Sequence, residues 1–143
     1  KTLAAHKNGI NSVVFSPDGN TIVTGGGDGQ LRLWKLQGQS IGKPLTVGKS
    51  GVSSVAVMFN RKINSTIVVS GSLDGKVSLW NVKQGKQIKA FFAHNNGVTS
   101  VSFSPNGQTI ITGGGDGQVR RWKWGGQQIG KTFTANEFGV TSV

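Results

Sequence analysis

Hydrophobic and polar positions alternate in short runs along the chain, a pattern typical of strands that bury one face. Residues 10–16 alternate in this way, and Pro17-Asp18-Gly19 then supplies a turn, because proline fixes one φ and glycine accepts a positive one. Residues 21–24 and 31–34 form two further strands around a glycine-rich turn, and a fourth lies near residues 40–46. Glycine interrupts every window with helical spacing, so helix is almost excluded.

The same four-strand pattern recurs along the sequence. When the chain is shifted by 88 positions, residues 1–55 align with residues 89–143, with about 33 of 55 residues identical. Residues 24–30 return unchanged as residues 112–118, and a weaker copy lies halfway, at residues 70–76. The elementary period is therefore about 44 residues, and an all-strand pattern with this period predicts a β-propeller.

The repeats predict an all-β fold of four-stranded antiparallel blades in one domain, residues 1–143. We expect three full repeats and the start of a fourth, at about 6–47, 48–93, 94–135 and 136–143. Propellers close with about four to eight blades. This incomplete stretch of about three and a half blades would leave apolar faces and strand edges open, so we expect further blades from the same chain or another copy to close the ring.

Each repeat places a hydroxyl residue, a turn aspartate and a tryptophan at matching positions. These are Thr24, Asp28 and Trp34, then Ser70, Asp74 and Trp80, then Thr112, Asp116 and Trp122. In these residues the sequence resembles the WD-repeat β-propeller family, and its near-identical blades resemble bacterial arrays, notably cyanobacterial ones. The resemblance implies a hydrogen-bonded tetrad that adds a histidine before the first strand, His6 in repeat one and His94 in repeat three. Such bonds matter because an unpaired buried indole N–H or carboxylate costs about 1–3 kcal/mol.

Repeat two departs from this pattern, because Gly48 stands where the histidine should be. We expect water to bridge the gap there, or Asp74 to bond only to turn amides. Repeat two also carries four extra residues in its first hairpin, around residues 60–64. Insertions of this kind map to loops on one face of a repeat protein.

Repeat three carries Arg121 in the slot that Leu33 and Leu79 fill in the other repeats. A guanidinium there needs a partner or solvent. We expect Arg121 to stack on Trp124 at an unusually open strand, with extension to solvent at the rim as the alternative.

The balance of charge is strongly basic, with 16 Lys and Arg against five acids and a net charge of +11. Such a surface attracts anionic partners without conferring specificity. We expect a basic rim near the turns of one face, formed by Lys35, Arg61, Lys62, Lys83, Lys86 and Lys123. A solvated rim competes there with a site for nucleic acid or an acidic protein, and the scarcity of interleaved aromatics argues against sequence-specific recognition.

The resemblance implies a partner face formed by the loops before the first strand and between the second and third strands. Candidate partner-binding residues there are Lys7, Asn11, Lys49, Ser53, Leu73, Asn95, Thr99 and Phe138. Leu73 and Phe138 are the best anchors, because glycines occupy much of the rest and the tryptophan, tyrosine and arginine typical of hot spots are missing.

The sequence offers little for catalysis or cofactor binding. Its two histidines fall on tetrad positions, and it has no cysteine and no paired carboxylates. We therefore expect no catalytic residues, metal site or cofactor. No apolar run approaches the length needed to cross a bilayer, so we expect no membrane contact and a cytoplasmic location.

These observations favour a non-catalytic protein-interaction scaffold or sensor module of a larger regulatory protein. One alternative is a basic surface that binds nucleic acid or an acidic partner non-specifically, which a steep fall of binding with salt would reveal. Another is part of a hydrolase built on a propeller, with its catalytic groups outside this segment.

Overall fold

The computed structural model describes residues 5–135 and 139–143, and it confirms the all-β architecture with three four-stranded antiparallel sheets, named blades 1 to 3 in chain order. Blade 1 contains β1 (Ile10–Phe15), β2 (Thr21–Gly26), β3 (Gln30–Lys35) and β4 (Ser40–Thr46). Blade 2 contains β5 (Val52–Asn60), β6 (Ser65–Ser72), β7 (Lys76–Asn81) and β8 (Lys86–Phe92). Blade 3 contains β9 (Val98–Phe103), β10 (Thr109–Gly114), β11 (Gln118–Lys123) and β12 (Phe133–Thr134).

Two hydrophobic cores join the blades face to face. One core lies between blades 1 and 2 and contains Val23, Leu31, Leu33, Val52, Val55, Val68 and Trp80. The other lies between blades 2 and 3 and contains Val69, Val77, Leu79, Val98, Val101, Ile110 and Trp122. Neighbouring residues of one strand serve different cores because side chains alternate across a sheet. Trp80 and Trp122 therefore each pack their blade against the blade before it.

Glycine on the second strand of each blade permits close approach to the next blade. A Cβ built on Gly25 would lie 2.5 Å from Val52 Cγ1, and one on Gly71 would lie 2.4 Å from Val98 Cγ1. Real Cβ atoms do not approach carbon so closely. Gly25 and Gly71 are therefore required for packing between blades, because any larger side chain would clash with the next blade.

Three of the predicted partner residues also make hydrogen bonds between successive repeats. Asn11 Nδ2 donates to the Val52 carbonyl at 2.8 Å. The hydroxyls of Ser53 and Thr99 donate in the same way to the carbonyls of Val98 and Val140. The ladder register shifts at each of these positions. A bulge takes the residue out of the regular alternation, which aims its side chain at the neighbouring blade.

Within the described part of the chain, nothing covers the leading face of blade 1, and the three sheets do not close into a ring. Val13 and Phe15 are 64% and 62% exposed, whereas Val55 and Val101, the counterparts of Val13, are buried. Trp34 is only half-buried for the same reason. The exposed face of blade 1 is thus equivalent to the faces of blades 2 and 3 that are buried against the preceding blade.

The predicted stack of Arg121 on Trp124 is not formed. Arg121 is exposed. Trp124 instead packs on Phe103, with ring centroids 6.2 Å apart, and donates its indole N–H to the Gly107 carbonyl at 3.1 Å. Trp124 joins the core between blades 2 and 3 together with Trp122, and Arg121 points to the other face because successive strand residues alternate.

The four-residue insertion lengthens the first hairpin of blade 2. Strands β5 and β6 have nine and eight residues, whereas β1, β2, β9 and β10 have six each. Among the described residues there is no helix with the length and apolar character that a membrane crossing requires.

Candidate functional site

The predicted tetrad residues of blade 1 form one chain of hydrogen bonds. Trp34 Nε1 donates to Thr24 Oγ1 at 2.9 Å. The Thr24 hydroxyl lies 2.8 Å from His6 Nε2, and His6 Nδ1 lies 2.7 Å from Asp28 Oδ1. A neutral imidazole protonated on Nδ1 fits this chain, because it accepts from the hydroxyl and donates to the carboxylate.

Blade 3 repeats this geometry. Trp122 Nε1 donates to Thr112 Oγ1 at 2.8 Å, and His94 lies 2.7 Å from that hydroxyl and 2.8 Å from Asp116 Oδ1. His94 and Thr112 are completely buried. The chain ties the loop before β9 to the turn after β10 and to β11, so it holds one end of the blade rigid.

Arginine extends both chains, which the sequence reasoning missed. Arg32 Nη1 lies 3.2 Å from Asp28 Oδ2, and Arg120 Nη1 lies 3.1 Å from Asp116 Oδ2. Each guanidinium also donates to the carbonyl of the alanine that precedes the histidine, as Arg32 does to Ala5. The signal was present, because arginine stands two residues before tryptophan only in the repeats that carry histidine.

The chain also sets the ionisation of its members. Burial alone would raise the pKa of Asp28 and Asp116, but hydrogen bonds from His6 and His94 and the neighbouring arginines lower it below its usual range. Burial lowers the pKa of His94, with Arg120 adding to the effect, although Asp116 opposes it. His94 is thus held neutral beside an ionised Asp116 near neutral pH.

Blade 2 replaces the tetrad with a shorter arrangement, and the predicted restriction of Asp74 to turn amides is wrong. Asp74 accepts a hydrogen bond from the Ser72 hydroxyl as well as from the Lys76 amide. Ser70 bonds weakly to the Ser78 carbonyl at 3.4 Å. The buried Trp80 Nε1 finds no acceptor within residues 5–135 and 139–143. The three predicted residues are therefore not linked to one another.

Two sequence changes in blade 2 go together, namely the loss of the histidine and the presence of Ser72 where blades 1 and 3 have glycine. In blades 1 and 3 the imidazole lies over glycine, since a Cβ on Gly26 would be 2.2 Å from His6 Cγ and one on Gly114 would be 2.1 Å from His94 Nδ1. Ser72 occupies the equivalent position in blade 2. Its side chain takes the space of the missing imidazole and supplies the donor to the aspartate.

The remaining partner candidates lie on the face that the tetrads stabilise, named here the tetrad face. Lys7, Lys49, Asn95 and Leu73 are exposed there. Leu73 is 60% exposed and follows β6, at a position that is glycine in blades 1 and 3. It thus projects from an otherwise smooth surface. Phe138 lies outside the described residues.

The six predicted rim cations are all exposed. Three of them, Arg61, Lys62 and Lys123, line a groove between the long hairpin of blade 2 and the turn after β9. Lys35 ends β3, Lys83 lies in the β7–β8 turn and Lys86 begins β8, and none of them lines this groove. We call this cleft the hairpin groove. It lies at the end of the blades opposite the tetrad face.

Comparison with known proteins agrees with the repeated four-stranded blades. The family model of the WD domain, G-beta repeat, known as WD40, matches residues 1–35, 42–81 and 85–123. The chain belongs to the WD40 repeat family. A computationally designed protein, Ika4, has a similar crystal structure, with a TM-score of 0.78 and 28% identity over 99% of this chain and 82% of that one.

Several proteins contain segments similar to this chain. Over about three quarters of the chain it is 32% identical to telomerase protein component 1 of Mus musculus and to the beta subunit of a guanine nucleotide-binding protein of Oryza sativa. It is 29% identical, over a similar share, to transducin beta-like protein 3 of Rattus norvegicus. The chain spans 4%, 30% and 13% of the length of these eukaryotic relatives.

The ionisation of the WD40 tetrad predicts that acid destabilises the blades. The folded pKa of His94 lies below its ordinary value of 6.5, so the unfolded chain takes up a proton first as the pH falls through that value. The free energy of unfolding keeps the full His94 contribution above about pH 6.5 and falls as the pH drops below that value. The contributions of Asp28 and Asp116 are lost only below about pH 3.8. Urea unfolding between pH 7.5 and 4.5 measures this slope.

His94→Gln is the matched variant for this titration, because an amide can accept and donate but does not titrate there. The slope above pH 4.5 should shrink in the variant. An unchanged slope would show that His94 does not report the pH dependence.

The coordinated change in blade 2 predicts that its tetrad can be rebuilt. The imidazole of Gly48→His should collide with the Ser72 side chain, because His6 and His94 lie over glycine at the positions equivalent to Ser72. Ser72→Gly alone should remove the donor to Asp74. Together they restore the imidazole and the space that it needs. The free energy of unfolding of the double variant should therefore be higher, by about 1 kcal/mol or more, than the sum of the two single effects gives. Urea unfolding of the four proteins gives this coupling, and simple additivity would refute it.

Proposed function

We propose that this chain is a non-catalytic protein-interaction module, and that it acts as a scaffold or sensor within a larger regulatory protein in the cytoplasm. The main support is Leu73, a large apolar side chain that is 60% exposed on the tetrad face. Apolar side chains of this kind anchor interfaces when polar residues surround them. Lys49 and Asn95 are exposed in the loops of Gly51 and Gly97, two glycines that lie close to Leu73.

The rigidity of the surrounding loops supports the same proposal. Leu73 N donates to the Gly51 carbonyl at 3.0 Å, and its own carbonyl lies close to Gly97, so the backbone that carries the side chain is fixed between two loops. In blades 1 and 3 the histidine chains fix the equivalent loops. A surface that is already ordered loses little conformational entropy when a partner binds.

The use of both histidines in hydrogen bonds supports the non-catalytic part of the proposal. Each imidazole bonds a threonine and an aspartate, so neither is free to act as a general base. The names of two relatives agree with a scaffold, because they describe a component and a subunit. The near-identity of repeats one and three favours an array of the bacterial type, in which such blades often follow an NTPase, kinase or protease-like domain.

Electrostatic binding to nucleic acid is the second candidate. The observation that favours it is the exposure to solvent of the rim cations Lys35, Arg61, Lys62, Lys83, Lys86 and Lys123. Binding of this kind ignores sequence and falls steeply with salt, because bound cations release counterions from phosphates.

Leu73→Asp in the full-length protein tests the leading proposal. We expect partners that co-purify from the source cells to fall by about tenfold, which corresponds to roughly 1.4 kcal/mol. Leu36→Asp is the matched control, because Leu36 is 51% exposed in the turn after β3, at the other end of its blade. Quantitative mass spectrometry after nuclease treatment measures both.

The proposal fails if both variants retain the same partners. It also fails if nuclease or moderate salt removes every partner from the unchanged protein, a result that favours the nucleic-acid candidate.

A further inference from the structure

We propose that the hairpin groove binds an acidic, extended peptide segment of a partner protein, with one bulky apolar side chain seated on the groove floor. This inference rests on the proposed function, because it assigns a second contact surface to an interaction module. The groove lies opposite the tetrad face and shares no residue with Leu73 and its neighbours. It exists because blade 2 has a longer inner hairpin than blades 1 and 3.

The extension supplies one wall of the groove. Strand β5 continues three residues beyond its counterpart β1, and β6 begins two residues earlier than β2 does. At about 3.3 Å per residue, the hairpin projects roughly 7–10 Å further than the turns of its neighbours. The Asn60 side-chain oxygen accepts hydrogen bonds from the backbone N–H groups of Lys62 and Ile63, which fixes the turn at the end of this hairpin.

The floor of the groove is apolar and ordered. Met58 reaches from the extended strand to the turn of blade 3, where a Cβ on Gly107 would lie 2.3 Å from Met58 Cε. Trp124 donates its indole N–H to the carbonyl of that same Gly107, and Phe103 packs against Trp124. Met58, Phe103 and Trp124 remain half-buried. Because the indole N–H is already paired, the floor offers carbon surface to a ligand and selects an apolar side chain.

The charges around this floor select the rest of the ligand. Arg61 and Lys62 stand on one wall, and Lys123 stands at the other side. Asp18 is the one carboxylate among the lining residues, and it already accepts hydrogen bonds from Ser16 and Asn20. The groove therefore has a net positive charge beside apolar surface, which complements carboxylates that flank an apolar residue.

The size and shape of the groove favour a polypeptide over a small ligand or nucleic acid. Its volume of about 1330 Å³ exceeds the range of roughly 300–1,000 Å³ that small-molecule pockets occupy. Single-stranded nucleic acid binds to aromatic rings that offer free faces for successive bases. Here the Phe103 and Trp124 rings meet at 52° and pack on each other, so they form no such platform.

Fluorescence anisotropy with a labelled twelve-residue peptide tests this inference on the full-length protein. The probe carries Asp and Glu around a single central Leu. Comparison probes replace that Leu with Ala, or are twelve-nucleotide oligothymidylates. The test variant is Arg61→Glu with Lys62→Glu, and the matched control is Lys35→Glu with Lys83→Glu, which makes the same charge change outside the groove.

We expect the Leu probe to bind at least about fivefold more tightly than the Ala probe, and the groove variant to weaken it about tenfold or more. The matched control should change its affinity less than about twofold. The inference is overturned if the Leu probe does not bind, if the Leu and Ala probes bind equally, if both variants weaken it equally, or if oligothymidylate binds as tightly.

Leu73→Asp separates this inference from the proposed function. The variant should leave binding of the Leu probe unchanged, because Leu73 lies on the tetrad face. The unchanged protein gives the other comparison. If it captures Leu73-dependent partners but does not bind the Leu probe, the groove assignment is wrong and the proposed interaction module is retained.

Discussion

A buried indole N–H is costly to leave unpaired, and blades 1 and 3 are arranged around the acceptor that it finds. In blades 1 and 3 the acceptor is a threonine hydroxyl, which can accept from tryptophan because it donates in turn to imidazole. The imidazole can accept only while it is neutral, so the aspartate must hold the proton of the other ring nitrogen in place. This chain links the third strand, the second strand, the following turn and the preceding loop in one blade.

Blade 2 shows what happens when one member of the chain is lost. The substitution of glycine for histidine at position 48 comes with serine for glycine at position 72 and with Ser78 in place of arginine. Asp74 keeps a side-chain donor through Ser72, but Trp80 keeps its buried place without an acceptor among the described residues. The packing between blades therefore persists without the hydrogen-bonded chain, whereas the order of the loop depends on other contacts.

The strands were predictable because they follow from periods, and the tetrads of blades 1 and 3 were expected from the resemblance to the WD-repeat family. The strand predicted near residues 40–46 is β4, and the repeat of about 44 residues aligned Trp34, Trp80 and Trp122. The inter-blade roles of Asn11, Ser53 and Thr99 were not predictable, because a bulge breaks the alternation on which the assignment to a partner face relied. Arg32 and Arg120 were counted with the surface charge, since their carboxylate partners come close only after folding. The hairpin groove needed the relative placement of two blades, which no single repeat encodes.

The most direct test is a double-mutant cycle between the tryptophan and the hydroxyl. Trp122→Phe removes the N–H and Thr112→Val removes its acceptor, and urea unfolding of the four proteins gives their coupling. The same cycle with Trp80→Phe and Ser70→Ala is the internal comparison, because that pair is not hydrogen-bonded. We predict a coupling of about 1 kcal/mol in blade 3 and close to zero in blade 2. Equal couplings in the two blades would contradict the account.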